Sequence, residues 1–447
     1  MGNTTSLGSM LSKEILSTYS SMSQFAKKSG LTRSTLSLIF REKEPKPISV
    51  EQLIKITLAL GYAEEHFFDL YIDEYFNEEN LNKSRIVKLL CRCGELGLHD
   101  HSKRIIEKLS ETPSYIPVVF DVAEQLNKEK CKEAALFLYH WITGANTEVS
   151  ISLLAVCHYR IFRLQLSIDS DHNLHLLYRF LPYKSYLPTH LNLDALISVL
   201  NVLSNQQQYE ERDLFANELI SICIELFGTE DFPNTKNIAH YVPLLERHPV
   251  VYYGRGYLSK QSSLEGLGQF QTAQFYCKNY EALYWFDDGS AIAKEEIEKL
   301  SLFAKANECT FKLLQGDLSI LPEYMNFLEE HPKELIRGLI TILQAANEFE
   351  FSIDPFLKRV EARFDEWSED TQSYYIEMIQ RNDISYMLYH LAIYHFNAGR
   401  IQESLDTAIN CWTLSQTINN QHHFQLLASL TALYNYCDES TNQNNSA

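Results

Sequence analysis

From about residue 83 to residue 437 the chain reads as a succession of helical stretches, each about 12–20 residues long, with short breaks between them. That pattern leaves few folds open. Gly (16) and Pro (12) among 447 residues stand at about half their average usage of ~7% and ~5%. Turns are therefore scarce, which argues against a many-stranded sandwich or barrel. A chain that is 45% hydrophobic and 22% charged has enough apolar material for buried cores. It lacks any run of about 18 apolar residues, so no membrane contact is expected. The first residues lack the basic-then-apolar build of a secretory signal. Nine Cys, scattered without paired spacing, imply a reducing, cytoplasmic setting and no disulfide framework.

Within the helical stretches a period is visible. Gly399 marks a turn, after which Ile401, Ser404, Leu405, Ala408 and Cys411 occupy the packing positions of the second helix of a tetratricopeptide-like (TPR-like) hairpin. Ala134, Leu138 and Trp141 fit the same template, as do Ser102 and Ile106, then Ala216. Ser102 and Ala134 lie 32 residues apart, close to the ~34-residue repeat. The pattern predicts an all-α protein whose residues 86–437 form a right-handed solenoid of TPR-like hairpins. A concave surface lined by the first helix of each pair follows from that architecture.

Residues 1–60 differ from the rest. They hold eight Lys/Arg and four acids, whereas the whole chain carries −19. Residues 61–80 then bring seven acids and no Lys or Arg, which predicts an acidic linker helix over 63–85. A basic head on an acidic body suggests an anion-binding module. Residues 1–10 and 438–447 are expected to be flexible ends, and 11–62 a small helical domain. In it Gly30 suits a tight inter-helix turn, Thr32 an N-cap, and Ser49 with Gln52 a capping box. Between these lies a helix with Leu36, Ile39 and Phe40 on one face, and Arg33, Ser34, Ser37, Leu38 and Arg41 on the other. Arg and hydroxyls near a helix N-terminus suit base edges in a major groove.

The stretch from Ser23 to Phe40, followed by Pro47 to Ile56 and closing at Leu58-Ala-Leu-Gly61, resembles the phage-repressor (Cro/Xre) helix-turn-helix. The resemblance implies that Thr32, Arg33, Ser34, Ser37 and Leu38 meet bases of double-stranded operator DNA, while Lys27, Lys28, Arg41 and Lys43 lie near phosphates. Leu38 departs from the polar reader of many relatives and leaves the operator sequence open.

Projecting the repeat phase onto first helices selects Asp194, Asn201 and Asn205, with Ile197 and Ser204 beside them. It also selects Tyr386, Tyr389 and Asn397 with Ile393, and the pair Arg160 and Arg163 one turn apart. Asn offers donor and acceptor to an extended backbone, an Arg pair suits a carboxylate, and Tyr suits apolar side chains. Aromatics at helical spacing also serve as core. In overall plan the chain resembles the peptide-pheromone-sensing regulators grouped as Rgg, Rap, NprR, PlcR and PrgX, and the arbitrium receptors of temperate phages. That resemblance implies a non-enzymatic, homodimeric regulator switched by a short signalling peptide, with no cofactor or metal. The alternative it leaves is a Rap-like inhibitor or phosphatase of a response regulator, with DNA binding secondary. No Walker loop, G-x-S-x-G elbow or H-E-x-x-H occurs. The His99-Asp-His101 cluster lacks a third ligand at a defined spacing.

Overall fold

The computed structural model describes residues 6–41, 43–76, 82–110, 115–145, 149–361, 374–418 and 428. Among them the chain is helical, without a named strand. Its helices are α1 (Leu7–Thr18), α2 (Met22–Ser29), α3 (Arg33–Ile39), α4 (Val50–Ala59), α5 (Phe68–Tyr75), α6 (Lys83–Glu95), α7 (His99–Ser110), α8 (Tyr115–Lys128), α9 (Lys132–Thr143) and α10 (Ile151–Gln165). There follow α11 (Ser170–Phe180), α12 (Thr189–Asn205), α13 (Tyr209–Phe227), α14 (Thr235–Tyr241), α15 (Pro249–Gly266), α16 (Phe270–Phe275) and α17 (Lys278–Glu281). The last are α18 (Ala291–Leu314), α19 (Leu321–Glu330), α20 (Leu335–Phe349), α21 (Asp354–Glu361), α22 (Tyr374–Asn397) and α23 (Ile401–Ile418). No helix of the described residues is long and apolar enough to cross a membrane.

The chain divides into two compact units, residues 1–164 and 165–447. In the first, local chemistry sets each boundary. Ser6 caps α1 by accepting from the Ser9 N–H, and Leu7 is buried, so the first helix starts inside the segment expected to be flexible. Gly30 ends α2 in the left-handed region (φ 66°), and Thr32 caps α3 through the Thr35 N–H. The Ser49–Gln52 capping box opens α4 as expected. The acidic stretch is no linker: Phe67, Phe68, Tyr71, Ile72 and Phe76 are buried in the same core as Leu11, Phe25 and Leu53. Charge there marks only the solvent side of an amphipathic segment. The compact unit runs on to residue 164, past the boundary expected at 85/86.

A single turn recurs in both units. Three residues join α6 to α7, α8 to α9, α12 to α13 and α22 to α23, and the middle one is left-handed in each: Gly97, Lys130, Gln207 and Gly399 (φ 68°, 63°, 51° and 76°). The next residue returns its N–H to the carbonyl five positions back, as Leu98 to Cys93, Cys131 to Leu126, Gln208 to Leu203 and Arg400 to His395. This is the Schellman termination, which satisfies carbonyls that a helix end leaves open. Gly268 and Gly316 end α15 and α18 in the same way. The packing face of α23 is Ser404, Cys411, Ser415 and Ile418, whereas Ile401 and Leu405 are exposed. Small residues let α23 sit close on α22, with the Ser404 hydroxyl donating to the Ala392 carbonyl at 2.6 Å.

Cys91 and Cys131 form a disulfide between α6 and the start of α9, with Cα atoms 5.6 Å apart. The expectation of no disulfide is corrected here: the pairing spans 40 residues and arises because Gly94 lets α6 lie against Ala134. The tail expected to be disordered, 438–447, lies outside the described residues, as do residues 1–5.

Candidate functional site

In the second unit α12, α15, α18, α20 and α22 converge on a cavity of about 970 Å³. That is the upper end of the ~300–1,000 Å³ usual for ligand sites. The helices come close enough to form a wall partly because α15 carries glycine on two sides. A Cβ at Gly256 would stand 2.9 Å from Ile220 Cγ1 on α13, and one at Gly254 would stand 2.5 Å from Leu300 Cδ2 on α18. Arg255, between them, faces the cavity. The Gly254-Arg-Gly256 triplet is thus a packing device that also presents a cation.

The lining is polar in a particular way. Side-chain amides come from each of these five helices: Asn201 and Asn205 on α12, Gln261 on α15, Asn307 on α18, Gln344 and Asn347 on α20, Asn382 and Asn397 on α22. Gln344 donates toward Tyr386 Oη (3.3 Å), and Asn347 donates to the His390 carbonyl (3.0 Å), so α20 and α22 are cross-braced at the wall. Gln261, Asn307 and the buried Tyr280 hydroxyl form a closed network behind it. Apolar contacts come from Leu258, Phe303, Ile340 and Ile393.

Three guanidiniums reach the same space: Arg212 at the start of α13, Arg255 and Arg337. Arg337 is held by Asp383, with Nε 3.0 Å from Oδ2, yet 60% of its side chain remains accessible to the cavity's solvent. Arg255 donates to Asn201 Oδ1 at 2.6 Å. Arg212 is buried, 6% exposed, and its Nε has no acceptor. Burial, and then the neighbouring guanidiniums, draw the pKa of Arg212 and of Arg255 down from the usual arginine value; both stay charged at neutral pH. Burial pushes the Glu265 carboxyl up to about 7 against the pull of Arg212 and Arg337. It also raises Glu334, takes Tyr386 to about 12 and lowers His390 to about 4. At neutral pH His390 is a neutral ring.

Of the residues selected for the groove, Asn201, Asn205, Tyr386 and Asn397 line this cavity, with Ser204 and Ile393. Tyr389 does not: three residues beyond Tyr386 it has rotated toward α23 and packs with Ala392 and Cys411. Asp194 is interior, accepting from the Tyr252 hydroxyl, with Arg247 3.6 Å away. Arg160 and Arg163 belong to the first unit. Arg160 already has its carboxylate, donating to both oxygens of Glu124 at 2.9 and 2.8 Å, and Arg163 donates to the Tyr159 hydroxyl at 2.9 Å. Arg212, Glu265 and Arg337 were missed by the sequence reading. Arg212 stands in Tyr-Glu-Glu-Arg-Asp, which reads as a solvated helix start.

In the first unit Arg33, Ser34, Ser37 and Leu38 are exposed on α3, and Lys27, Lys28 and Lys43 are exposed nearby. None of the four cations Lys27, Lys28, Arg33 and Lys43 has an ion pair among the described residues. Thr32 is exposed, but its hydroxyl is committed to the cap, bonding Thr35 N, Ser34 Oγ and Thr35 Oγ1. The placement of Arg41 on the face of α3 is corrected: the helix ends at Ile39 with Phe40 as its cap, and Arg41, exposed beyond it, donates to the Glu44 carbonyl. His101 lies 3.8 Å from Asp69 and edge-on to Phe68. No protein-family model and no curated protein matches this chain.

Proposed function

We propose that the chain is a peptide-gated transcription regulator: a dimer that binds operator DNA through α2 and α3 of each protomer and is switched by a short peptide in the cavity of the second unit. On this reading α2, the Gly30 turn and α3 are a helix-turn-helix, and the five cavity helices are the first helices of stacked repeats of a TPR-like solenoid. One observation carries it: α12, α20 and α22 each bring side-chain amides to the cavity wall, while Gln261 of α15 and Asn307 of α18 brace it from behind. An amide that both donates and accepts matches an extended peptide backbone, whose groups are unpaired until bound.

The DNA half is supported by α3, which presents Arg33 and Ser34 in its first turn beside unpaired Lys27 and Lys28. Two protomers are needed because one such helix reaches few bases, and paired half-sites supply effective concentration. The switch needs a peptide that prefers one arrangement of the chain over another.

The test is capture of fragmented genomic DNA by the purified protein at ~150 mM salt, followed by sequencing. A few paired half-sites are expected. Arg33→Ala lowers affinity at one position of each half-site by the ~1–3 kcal/mol of a lost bidentate base contact. Retention of nothing, with or without peptides encoded near the candidate sites, rejects the DNA half of the reading.

A further inference from the structure

Arg212 is the most unusual group in the molecule. It is 6% exposed, lines the cavity, and makes no hydrogen bond or ion pair from its guanidinium to any described residue; its Nε is sealed from solvent without an acceptor. A guanidinium carries five N–H donors in a fixed fork and cannot discharge itself at neutral pH. Buried charges are normally paired, because an uncompensated one costs several kcal/mol. The neighbours do not supply the missing anion. Arg255 adds a second cation, which donates to the neutral Asn201 amide. Glu265 lines the same cavity and acts on Arg212 electrostatically, but it is no ion-pair partner within 4 Å, and burial pushes its carboxyl toward the neutral form. Arg337 has its own acid in Asp383.

We infer that Arg212, with Arg255 beside it, is the receiving point for an anionic group of the ligand, and that this group is the C-terminal carboxylate of the peptide. The identity of the bearer rests on the peptide reading above; the anion subsite rests on the geometry alone. A carboxylate accepts two parallel N–H bonds from one guanidinium fork and has further lone pairs for a second. Placed against the Nη edge of the guanidinium it removes the charge imbalance and fixes which end of the peptide enters first. The Asn201 and Asn205 amides on the adjoining helix are then in place for the last backbone groups before the terminus. A peptide whose end is blocked as an amide brings donors where donors already stand.

The experiment uses the full chain and two sets of random hexapeptide pools that differ only in ending as free acid or as amide. Retained peptides are read by mass spectrometry after rapid separation of bound from free. Wild type is expected to retain particular sequences from the free-acid pools about tenfold or more above their amidated forms, the range of a lost charge-assisted pair. Arg212→Gln and, independently, Arg255→Gln are expected to erase that preference, with folding checked by circular dichroism. If one variant does not fold, the acid-to-amide ratio on wild type and the other variant still decide. Equal retention of both forms overturns the carboxylate assignment while leaving the peptide reading intact. If neither pool is retained, inorganic phosphate is titrated against the unfolding midpoint. A rise in wild type that is absent in Arg212→Gln keeps the anion subsite and rejects the peptide; no rise rejects both.

Discussion

Glu265 shows how the cavity trades burial against charge. Its carboxyl titrates at about 7 in the folded chain, against 4.5 for the free group. A raised value means that the folded state binds its proton more tightly than the unfolded state does. The associated stability is fully present below pH 4.5 and is lost as pH rises through 7. Glu265→Gln fixes the neutral form. It is expected to unfold at a higher temperature than wild type at pH 8, by up to about 3 kcal/mol, and to converge with it near pH 5. A lower midpoint for the variant at pH 8 means that attraction to Arg212 and Arg337 outweighs the cost of burying the charge. The same scale shows what sequence can and cannot disclose about a site. Asn201, Asn205, Tyr386 and Asn397 were legible because helical spacing puts Asn201 with Asn205 on one face of α12 and Tyr386 with Asn397 on one face of α22, and those faces line the cavity. Arg212 was not, because acids surround it in sequence while only helices distant in sequence surround it in space.

At the scale of elements the turn decides more than the helices do. Three residues with a left-handed centre recur whether that centre is Gly97, Gly399, Lys130 or Gln207. Gly399→Ala isolates the conformational part, because a Cβ there meets nothing within 4 Å. It is expected to cost about 1 kcal/mol, the penalty of a left-handed non-glycine residue, and urea unfolding followed by helical circular dichroism reads it. A cost near zero means that the turn relaxes to another geometry. Helix existence was readable from apolar period and caps, as at Ser49 and Gln52. The role of α5 was not, because seven acids in residues 61–80 concealed a face of Phe68, Tyr71 and Ile72. Nor was the Cys91–Cys131 bond, which depends on how closely α6 and α9 approach. Ile401 and Leu405 were misassigned for a related reason: α23 packs on α22 through its small residues, which turns its larger ones outward.

For the whole molecule the relevant quantity is how charge is divided. Residues 1–60 are net basic in a chain that carries −19, so operator binding on the proposed reading has to concentrate its phosphate contacts in a few side chains. Lys27, Lys28, Arg33 and Lys43 are the exposed cations near α3 that have no ion pair among the described residues. Removing one phosphate contact reduces the slope of log affinity against log salt by about 0.9. Lys28→Ala in a dimer is therefore expected to reduce it by roughly 2 while weakening all sequences alike. An unchanged slope places Lys28 off the phosphate path. Arg33→Ala, by contrast, is expected to change which half-sites are captured.

The unpaired guanidinium of Arg212 has a consequence for the lifetime of the protein in a cell. An interior that waits for its counter-charge is less stable empty than filled, and a ligand that binds only the folded chain raises stability in proportion to the logarithm of its concentration over its dissociation constant. Proteases act on the transiently opened form. On the proposed reading the occupied protein therefore outlasts the empty one, and its abundance keeps a record of recent exposure to the peptide after the peptide itself has gone.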